Sequence, residues 1–503
     1  MAKSAIIIGG GISGLATANL LAHDGYTVTI YEQGSQLGGR AGWLEVDGFS
    51  FDTGPSWYLM PDVFERYFGL LGRRAADYLD LVRLDPAYRV FPEGGEAVTI
   101  HADLARDAAT FDAIEPGSGD QLKAHVARAG KIYDMATKHF LYMDRIIPSS
   151  FVSPDVLSAL PSLPRTANLS RYIEKRFKHP VLRQILQYHS VFLGVSPYRA
   201  PSLYALMSHL DFNQGVFYPQ GGMYRIIRAF EKVAGELGVK IHLNAPVAHI
   251  TTNTGRATGV KLADGTAAAA DLVISAAELH HTEQNLLQPA ERSLPKNYWT
   301  KAKPSPSALL MYLGVKGKLP QLTHHNLIFT ADWHKNFDDI FEQGTMPSPA
   351  SMYVSATSVT DPSVAPGGDE NLFVLVPLPA SDSLPTPAEQ AKLAQKYLTQ
   401  LANAIGEPKL TDRLVVKRFF GPADFAKSFN AWRGNALGLG HTWGQSAWFR
   451  PAVKSKRLGN FYTVGANARP GVGLPMCLIS AQLVLKDLRG DRTDGPPAPK
   501  DAV

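Results

Sequence analysis

The chain has a single cysteine, Cys477, in 503 residues. One thiol excludes an intrachain disulfide and any all-cysteine metal or iron–sulfur site. It also fits a reducing compartment. There is no concentrated Lys/Arg block. The net charge of +5 and pI near 9.0 are mild for this length. That balance suits weak attraction to anionic lipid and leaves no footprint for nucleic acid. Outside residues 5–22, no charge-free apolar run reaches the roughly 18 residues of a membrane span. The run 5–22 itself carries Gly9, Gly10, Gly11 and Gly14 and is followed by His23 and Asp24. It reads as strand, turn and helix, not as a signal peptide or span. Any membrane contact is therefore expected to be peripheral. No internal repeat is present.

The remaining composition, 45% hydrophobic and 19% charged, is that of a globular protein long enough for two or three domains. Residues 4–8 form a continuous apolar run ending at glycines, the pattern of a buried parallel strand. Residues 12–24 read as a helix stopped by Gly25, and 27–31 as a second strand. Further strands are expected at 239–243, 259–262 and 271–275, with a hairpin signal at Ala263-Asp264-Gly265. Residues 100–220 look mainly helical, and 300–440 mix helices and strands. The Pro-, Gly- and Asp-rich end, 490–503, is expected to be a disordered tail.

The first chemical constellation is Gly9-Gly10-Gly11-Ile12-Ser13-Gly14, between a strand and a helix. Gly9 allows the tight turn, Gly11 the approach of a pyrophosphate, and Gly14 close packing of helix on strand. The helix N-terminus faces the phosphates with free N–H groups and a positive dipole. Glu32 ends the second strand, where an acid can hold ribose hydroxyls. Gly38-Gly39-Arg40 follows, with Arg40 expected to pair to phosphate oxygens. Phe51-Asp52-Thr53-Gly54-Pro55-Ser56 comes next, and no second G-x-G-x-x-G appears. A separate nicotinamide domain is therefore not expected. Near the end, a strand at 460–465 leads into Arg469-Pro470-Gly471-Val472-Gly473 and a helix from Leu474. Its free N–H groups are placed to face the N1–C2=O edge of a flavin.

Together these motifs resemble the bacterial phytoene desaturases, within the amine oxidase and carotenoid desaturase superfamily. The resemblance covers nearly the whole chain. Its middle is Gly215-Val216-Phe217-Tyr218-Pro219-Gln220-Gly221-Gly222-Met223. Its end is Gln445-Ser446-Ala447-Trp448-Phe449-Arg450-Pro451 and Pro470-Gly471-Val472-Gly473-Leu474-Pro475. The run 476–481 resembles actinobacterial members most. One departure is Ala466-Asn467-Ala468-Arg469, where the family often carries a Gly-Thr-His-like stretch.

The resemblance implies an α/β fold: a Rossmann-like FAD-binding domain of glutathione-reductase type, a mixed α+β substrate domain, and a helical, membrane-facing insert. The implied boundaries are 1–75 with 220–295 and 445–490 for FAD, and 76–140 with 296–444 for substrate. The insert would be 141–219 and the tail 491–503. FAD would be lined by Gly9, Gly11, Ile12, Ser13, Gly14, Glu32, Gly39, Arg40, Gly54, Pro55 and Ser56. From the later chain come Gly465, Gly471, Gly473, Leu474 and Met476, with Val247 at the adenine. The implied reaction converts 15-cis-phytoene to lycopene by successive dehydrogenations, hydride to flavin N5 and then proton loss. A quinone or oxygen would accept the electrons.

Because an allylic cation is itself acidic, no strong base is required, and no catalytic residue stands out. Asp155, His209 and Asp211 are weak candidates for proton transfer. The flavin is expected to be non-covalent. The C40 hydrocarbon implies a cytoplasmic protein, peripheral on the inner face of the cell membrane. The helical stretch 177–201, with Val181, Leu182, Ile185 and Leu186, reads as a core helix, with a membrane dock as the alternative. Same-fold alternatives are a C30 diapocarotenoid desaturase, a carotene isomerase and a ketolase. A non-catalytic prenyl carrier of the Rab GDP-dissociation-inhibitor kind is opposed by the intact Glu32 cradle and Gly471–Gly473 turn. Oligomeric state leaves no signature.

Overall fold

The structure is a computed structural model and describes residues 2–163 and 168–500. β1 (Ser4–Ile8), α1 (Ile12–His23) and β2 (Thr27–Tyr31) form where expected. β1 and β2 are consecutive β-branched or apolar residues, and α1 is buried along nearly its whole length. They anchor a five-stranded parallel sheet. Its order is Phe461–Thr463, Leu272–Ser275, β1, β2, Lys240–His242. The C-terminal helix Leu474–Arg489 packs on α1. Segments far apart in sequence therefore build one dinucleotide-binding unit, as expected of a parallel sheet with crossover connections.

The strands expected at 239–243 and 271–275 are slightly shorter, Lys240–His242 and Leu272–Ser275. That expected at 259–262 is longer, Arg256–Leu262, and pairs in a separate antiparallel three-stranded sheet. The largest sheet is seven-stranded and mixed. Its order is Leu414–Phe420, Ser307–Val315, Glu370–Leu378, Met352–Ser355, His325–Phe329, Tyr88–Pro92, Val98–Ile100.

Gly221-Gly222-Met223 now has a structural reason. The Asp52 carboxylate accepts the Met223 and Tyr224 N–H groups, both at 2.8 Å, and so tethers the start of helix Tyr224–Glu236. A Cβ on Gly222 would meet Trp43 at 2.7 Å and both Asp52 oxygens at 3.2 Å. Burial nevertheless pushes the Asp52 carboxyl up to about 7, against those two hydrogen bonds.

One expectation is corrected. The 491–503 tail is not loose where it is described. Asp494 reaches His139 Nδ1 at 2.8 Å, Lys486 Nζ donates to Thr493 O at 2.9 Å, and Arg489 donates to Ala498 O at 2.7 Å. Its Pro, Gly and Asp residues lack a core of their own, but cations on the last helix hold them. Residues 501–503 lie outside the described residues. Part of the expected insert, 164–167, does too. Helix Pro180–Gln187 is the core helix expected of it, not a membrane dock. Val181, Leu182, Ile185 and Leu186 are buried in the cluster that contains Leu327 and Phe329. Among the described residues, no helix is long and apolar enough to cross a membrane.

His125 and His324 are buried as neutral imidazoles, and burial pushes both down to about 3 from 6.5. The unfolded chain binds those protons first. Their contribution to stability is therefore full above pH 6.5 and is lost as pH falls from 6.5 through about 3. Asp52 works in the other direction, losing stability as pH rises from 3.8 through about 7. The difference between wild type and His324→Gln isolates one histidine. Thermal melts should show a slope shallower by up to about one proton for the variant below pH 6.5. Parallel curves would contradict it.

Candidate active site

The glycine turn after β1 lies against the Gly38-Gly39 turn. Gly38 N donates to Gly10 O at 2.9 Å, and a Cβ on Gly39 would sit 3.5 Å from the Gly11 Cα. Gly11 caps α1 with no side-chain partner. The place of its Cβ meets only Gly38 O, at 3.8 Å. That face therefore opens into the cavity, as backbone approach to a pyrophosphate needs. Gly14 is different. Its Cβ would lie 2.0 Å from Gly9 O, so it packs helix on strand and is absent from the cavity wall. Glu32 accepts Gly10 N–H at 2.6 Å and Gly34 N–H at 2.7 Å. Both oxygens are thus oriented, with lone pairs left for ribose hydroxyls.

Arg40, expected to pair to phosphate oxygens, has a protein partner in the cavity wall. Its guanidinium pairs with Glu278 at 3.2 Å, over the Phe429 ring at 5.6 Å. All three side chains line the cavity. Glu278 is the buried partner that aims Arg40, and it lies 238 residues away. The one hint in the sequence was an acid just after the strand ending at Ser275.

At the flavin end, Pro55 and Ser56 line the cavity, and Tyr312 Oη donates to Thr53 O at 3.1 Å. A Cβ on Gly54 would sit 2.1 Å from Arg40 O, so this glycine lets the two turns touch. Gly465 N–H donates to Ser480 Oγ at 3.1 Å, tying the last strand to the last helix. That helix has no side-chain N-cap. The Leu474 and Met476 N–H groups have no acceptor within the helix and stand at the cavity wall. Ile12, Ser13, Gly473 and Val247 line the same cavity, the last at the Glu32 and Tyr31 end. Gly471 stands behind the wall instead, where a Cβ would meet the His441 ring at 2.2 Å.

That histidine was not anticipated. His441 Nε2 accepts the Val472 N–H at 3.1 Å, so the proton sits on Nδ1, facing Tyr204 Oη at 2.6 Å. Tyr204 donates in turn to Ser446 Oγ at 3.0 Å. Burial holds the imidazole well below its usual range, so it is neutral. Arg450 locks the same wall. It is 1% exposed and donates to the carbonyls of Gln445 (3.0 Å), Leu439 (2.9 Å) and Ala466. Asn467, in the divergent stretch, lines the cavity and accepts Leu439 N–H at 2.8 Å. Burial pushes the Cys477 thiol up to about 12, so it is no thiolate at neutral pH.

The three weak catalytic candidates are all absent from the cavity wall. Asp155 is an exposed surface acid paired with Lys138 and His139 at 3.4 and 3.5 Å. His209 stacks on Tyr133, ring centroids 5.2 Å apart. Asp211 is buried behind Tyr88, which donates to it at 2.8 Å, and beside His189 at 3.2 Å. The family resemblance singled out Asp155, and the place just before the 215–223 motif singled out His209 and Asp211, but their side chains turn into other contacts.

The cavity has a volume of about 1220 Å³, and beyond the turns its wall is largely apolar on two sides. One runs beneath the helical segment, along Met143, Phe151, Leu203 and Met207. The other runs over the seven-stranded sheet, along Leu310, Leu327, Phe329 and Leu375. The volume exceeds the roughly 300–1,000 Å³ of pockets for one small ligand, which leaves room for a cofactor and a long substrate. The open face at Gly11, the oriented Glu32 and the free N–H groups at Leu474 and Met476 all fit FAD.

Comparison with known proteins agrees. The family described as flavin containing amine oxidoreductase matches residues 12–484. A carotenoid 3,4-desaturase of Haloarcula japonica is 42% identical over 480 residues, 95% of this chain and 96% of that protein. A zeta-carotene-forming phytoene desaturase of Myxococcus xanthus is 37% identical over 485 residues, 96% of this chain and 93% of that protein. A solved structure of putrescine oxidase shares the fold at a TM-score of 0.63 and 16% identity, covering 97% of this chain and 99% of that one. The chain therefore belongs to the carotenoid desaturases of the flavin-containing amine oxidoreductase family, and its cofactor is FAD.

Proposed function

We propose that the protein dehydrogenates a linear C40 carotenoid at FAD, taking phytoene to lycopene. The observation that carries this reading is the continuity of the flavin turn with a long apolar lining; among the described residues its only lysine or arginine side chains are Arg40, held by Glu278, and Arg469, held by Asp144. Bound FAD supplies a two-electron acceptor for hydride. The chain does the rest. The N–H groups of Leu474 and Met476 favour negative charge at the flavin edge. The apolar lining holds the polyene straight and excludes water. Neutral His441 keeps a positive charge away from the place where the substrate loses hydride. The electrons would pass on to a membrane quinone or to oxygen.

Expression in phytoene-producing bacteria, with pigments read by absorption and chromatography, tests this. A red extract matching lycopene is expected. Untouched phytoene beside bound FAD would defeat the phytoene reading. A second reading, 3,4-desaturation of a chain already conjugated, is favoured by the 42% identity to the Haloarcula protein.

The substrate resides in lipid, so peripheral membrane docking on the cytoplasmic side is part of the proposal. Exposed Ile146, Val152, Leu157, Trp443 and Phe449 support it. They neighbour Phe151 and Trp448, cavity-lining rings 5.3 Å apart. The helical side of the cavity would open through this patch. Phe449 is 69% exposed, and burying a phenylalanine is worth ~1.5–3 kcal/mol. Phe449→Glu should therefore weaken sedimentation with anionic vesicles at least about tenfold while FAD content stays unchanged. Undiminished vesicle binding would move the dock elsewhere.

A further inference from the structure

On its sheet side the cavity wall carries an amide that the protein satisfies only in part. Asn336, on the short helix Trp333–Asp338, is 4% exposed and stands in the cavity wall. Its Oδ1 accepts the Ser351 N–H at 2.9 Å. That bond fixes the amide: the oxygen is committed, so Nδ2 turns the other way. Among the described residues, Nδ2 donates to no protein atom. The neighbouring hydroxyl of Ser351 is already engaged by Thr330, through its N–H at 3.2 Å and its Oγ1 at 3.1 Å. Phe337, Ile340 and Phe341 complete the surroundings. The Asn336 side chain faces cavity space, so an acceptor on a ligand can take up this N–H.

Sheet register shows how far this group lies from the flavin turn. Tyr312, bonded to Thr53, pairs with Phe373; Ala308 pairs with Pro377. Tyr353 pairs with Leu375, so Ser351, two residues earlier, falls level with Pro377. Four residues of strand separate the Tyr312 row from this one, roughly 13 Å at ~3.4 Å per residue. That is remote from the reacting carbons, as a site that reads the end of a long chain should be. Among the described residues, Arg40 and Arg469 are the only lysine or arginine side chains of the cavity wall, and they are held by Glu278 and Asp144. A phosphate or carboxylate would be buried there without a counter-charge.

We propose that Asn336 is a subsite for a neutral oxygen on the terminal unit of a linear polyene, a hydroxyl or a carbonyl that accepts the Nδ2–H. The inference rests on the reading that the cavity takes a linear carotenoid. Between the two readings it favours the second, a chain already modified, because the subsite makes an oxygen-bearing end preferred over a bare hydrocarbon end such as that of phytoene.

The test uses the FAD-loaded protein and three substrates of equal length: a linear C40 hydrocarbon, its terminal alcohol and its terminal ketone. Wild type should turn over at least one oxygenated chain with kcat/KM about tenfold above the hydrocarbon. Asn336→Leu should lose that preference while its flavin spectrum stays unchanged. Preference for the alcohol alone or the ketone alone identifies the group. Equal kcat/KM in wild type overturns the subsite whether or not the variant folds, and so does a variant that keeps the preference. If no chain is turned over, the desaturation reading fails separately. Quenching of Trp333 fluorescence by the bound polyene then decides the subsite. Tighter binding of an oxygenated chain to wild type sustains it, and equal binding ends it.

Discussion

Gly14→Val should purify colourless. The place of its Cβ is 2.0 Å from the carbonyl oxygen of Gly9 and 3.3 Å from the Ala276 side chain. A backbone oxygen is not the loose end of a flexible side chain. It belongs to the turn that must meet the pyrophosphate. Either α1 moves off β1 or the turn opens, and both spoil the cradle. Overpacking a core commonly costs ~1–3 kcal/mol. Here, with a backbone carbonyl on one side and the short Ala276 side chain on the other, a loss of about 3 kcal/mol or more is expected, and FAD content should fall at least about tenfold. Gly69→Ala is the control. Gly69 lies inside helix Pro61–Leu70 with nothing within 4 Å of its Cβ position, so alanine there should be neutral or stabilising by up to ~1 kcal/mol. Full flavin occupancy in Gly14→Val, read from the ratio of visible to ultraviolet absorbance, would refute the account.

Arg450→Met should be the most damaging change in the substrate wall. The guanidinium is buried and bound to three backbone carbonyls. Among the described residues it has no carboxylate within ion-pair distance. Burial pushes it down to about 10, so it stays charged at neutral pH. Removing a buried charge by itself relieves a desolvation cost. The carbonyls of Gln445, Leu439 and Ala466 would then lose their donor, at about 1–3 kcal/mol each. The second effect wins, and a net loss of ~3–5 kcal/mol is expected in denaturant melts. Function should suffer as well, because these carbonyls hold the loop bearing His441 to the stretch that leads into the Gly471 turn. Arg450→Lys keeps the charge but cannot span three acceptors in a fork, and should fall between. Wild-type stability in Arg450→Met would mean that the carbonyls find other donors.

The two variants separate what each motif contributes. The first glycine turn governs whether flavin is held. The 445–451 run governs the shape of the wall beside it. Asp52 and Gly222 illustrate a third use of motif residues. They join a strand to a helix start, and only their burial makes the carboxyl titrate near 7.

By itself, the sequence determined the dinucleotide-binding unit and its ends: β1, α1, β2, Glu32, and the Gly471–Gly473 turn before the last helix. These are local demands. Close backbone approach needs glycine at set spacing, and a buried parallel strand needs an apolar run, so both can be read in order along the chain. Tertiary structure decided the rest. Glu278 meets Arg40 across 238 residues, and Tyr204 meets His441 across 237. Nothing in local spacing predicts such pairs, because packing of separate elements creates them. The same packing turned Asp155 out to solvent, buried Asp211 behind Tyr88, and drew the 491–500 segment onto Lys486 and Arg489. It also left the Asn336 amide facing the cavity. A side chain's chemistry is written in the sequence. Whether it meets a partner, a ligand or water depends on what the folded chain brings within about 3 Å of it.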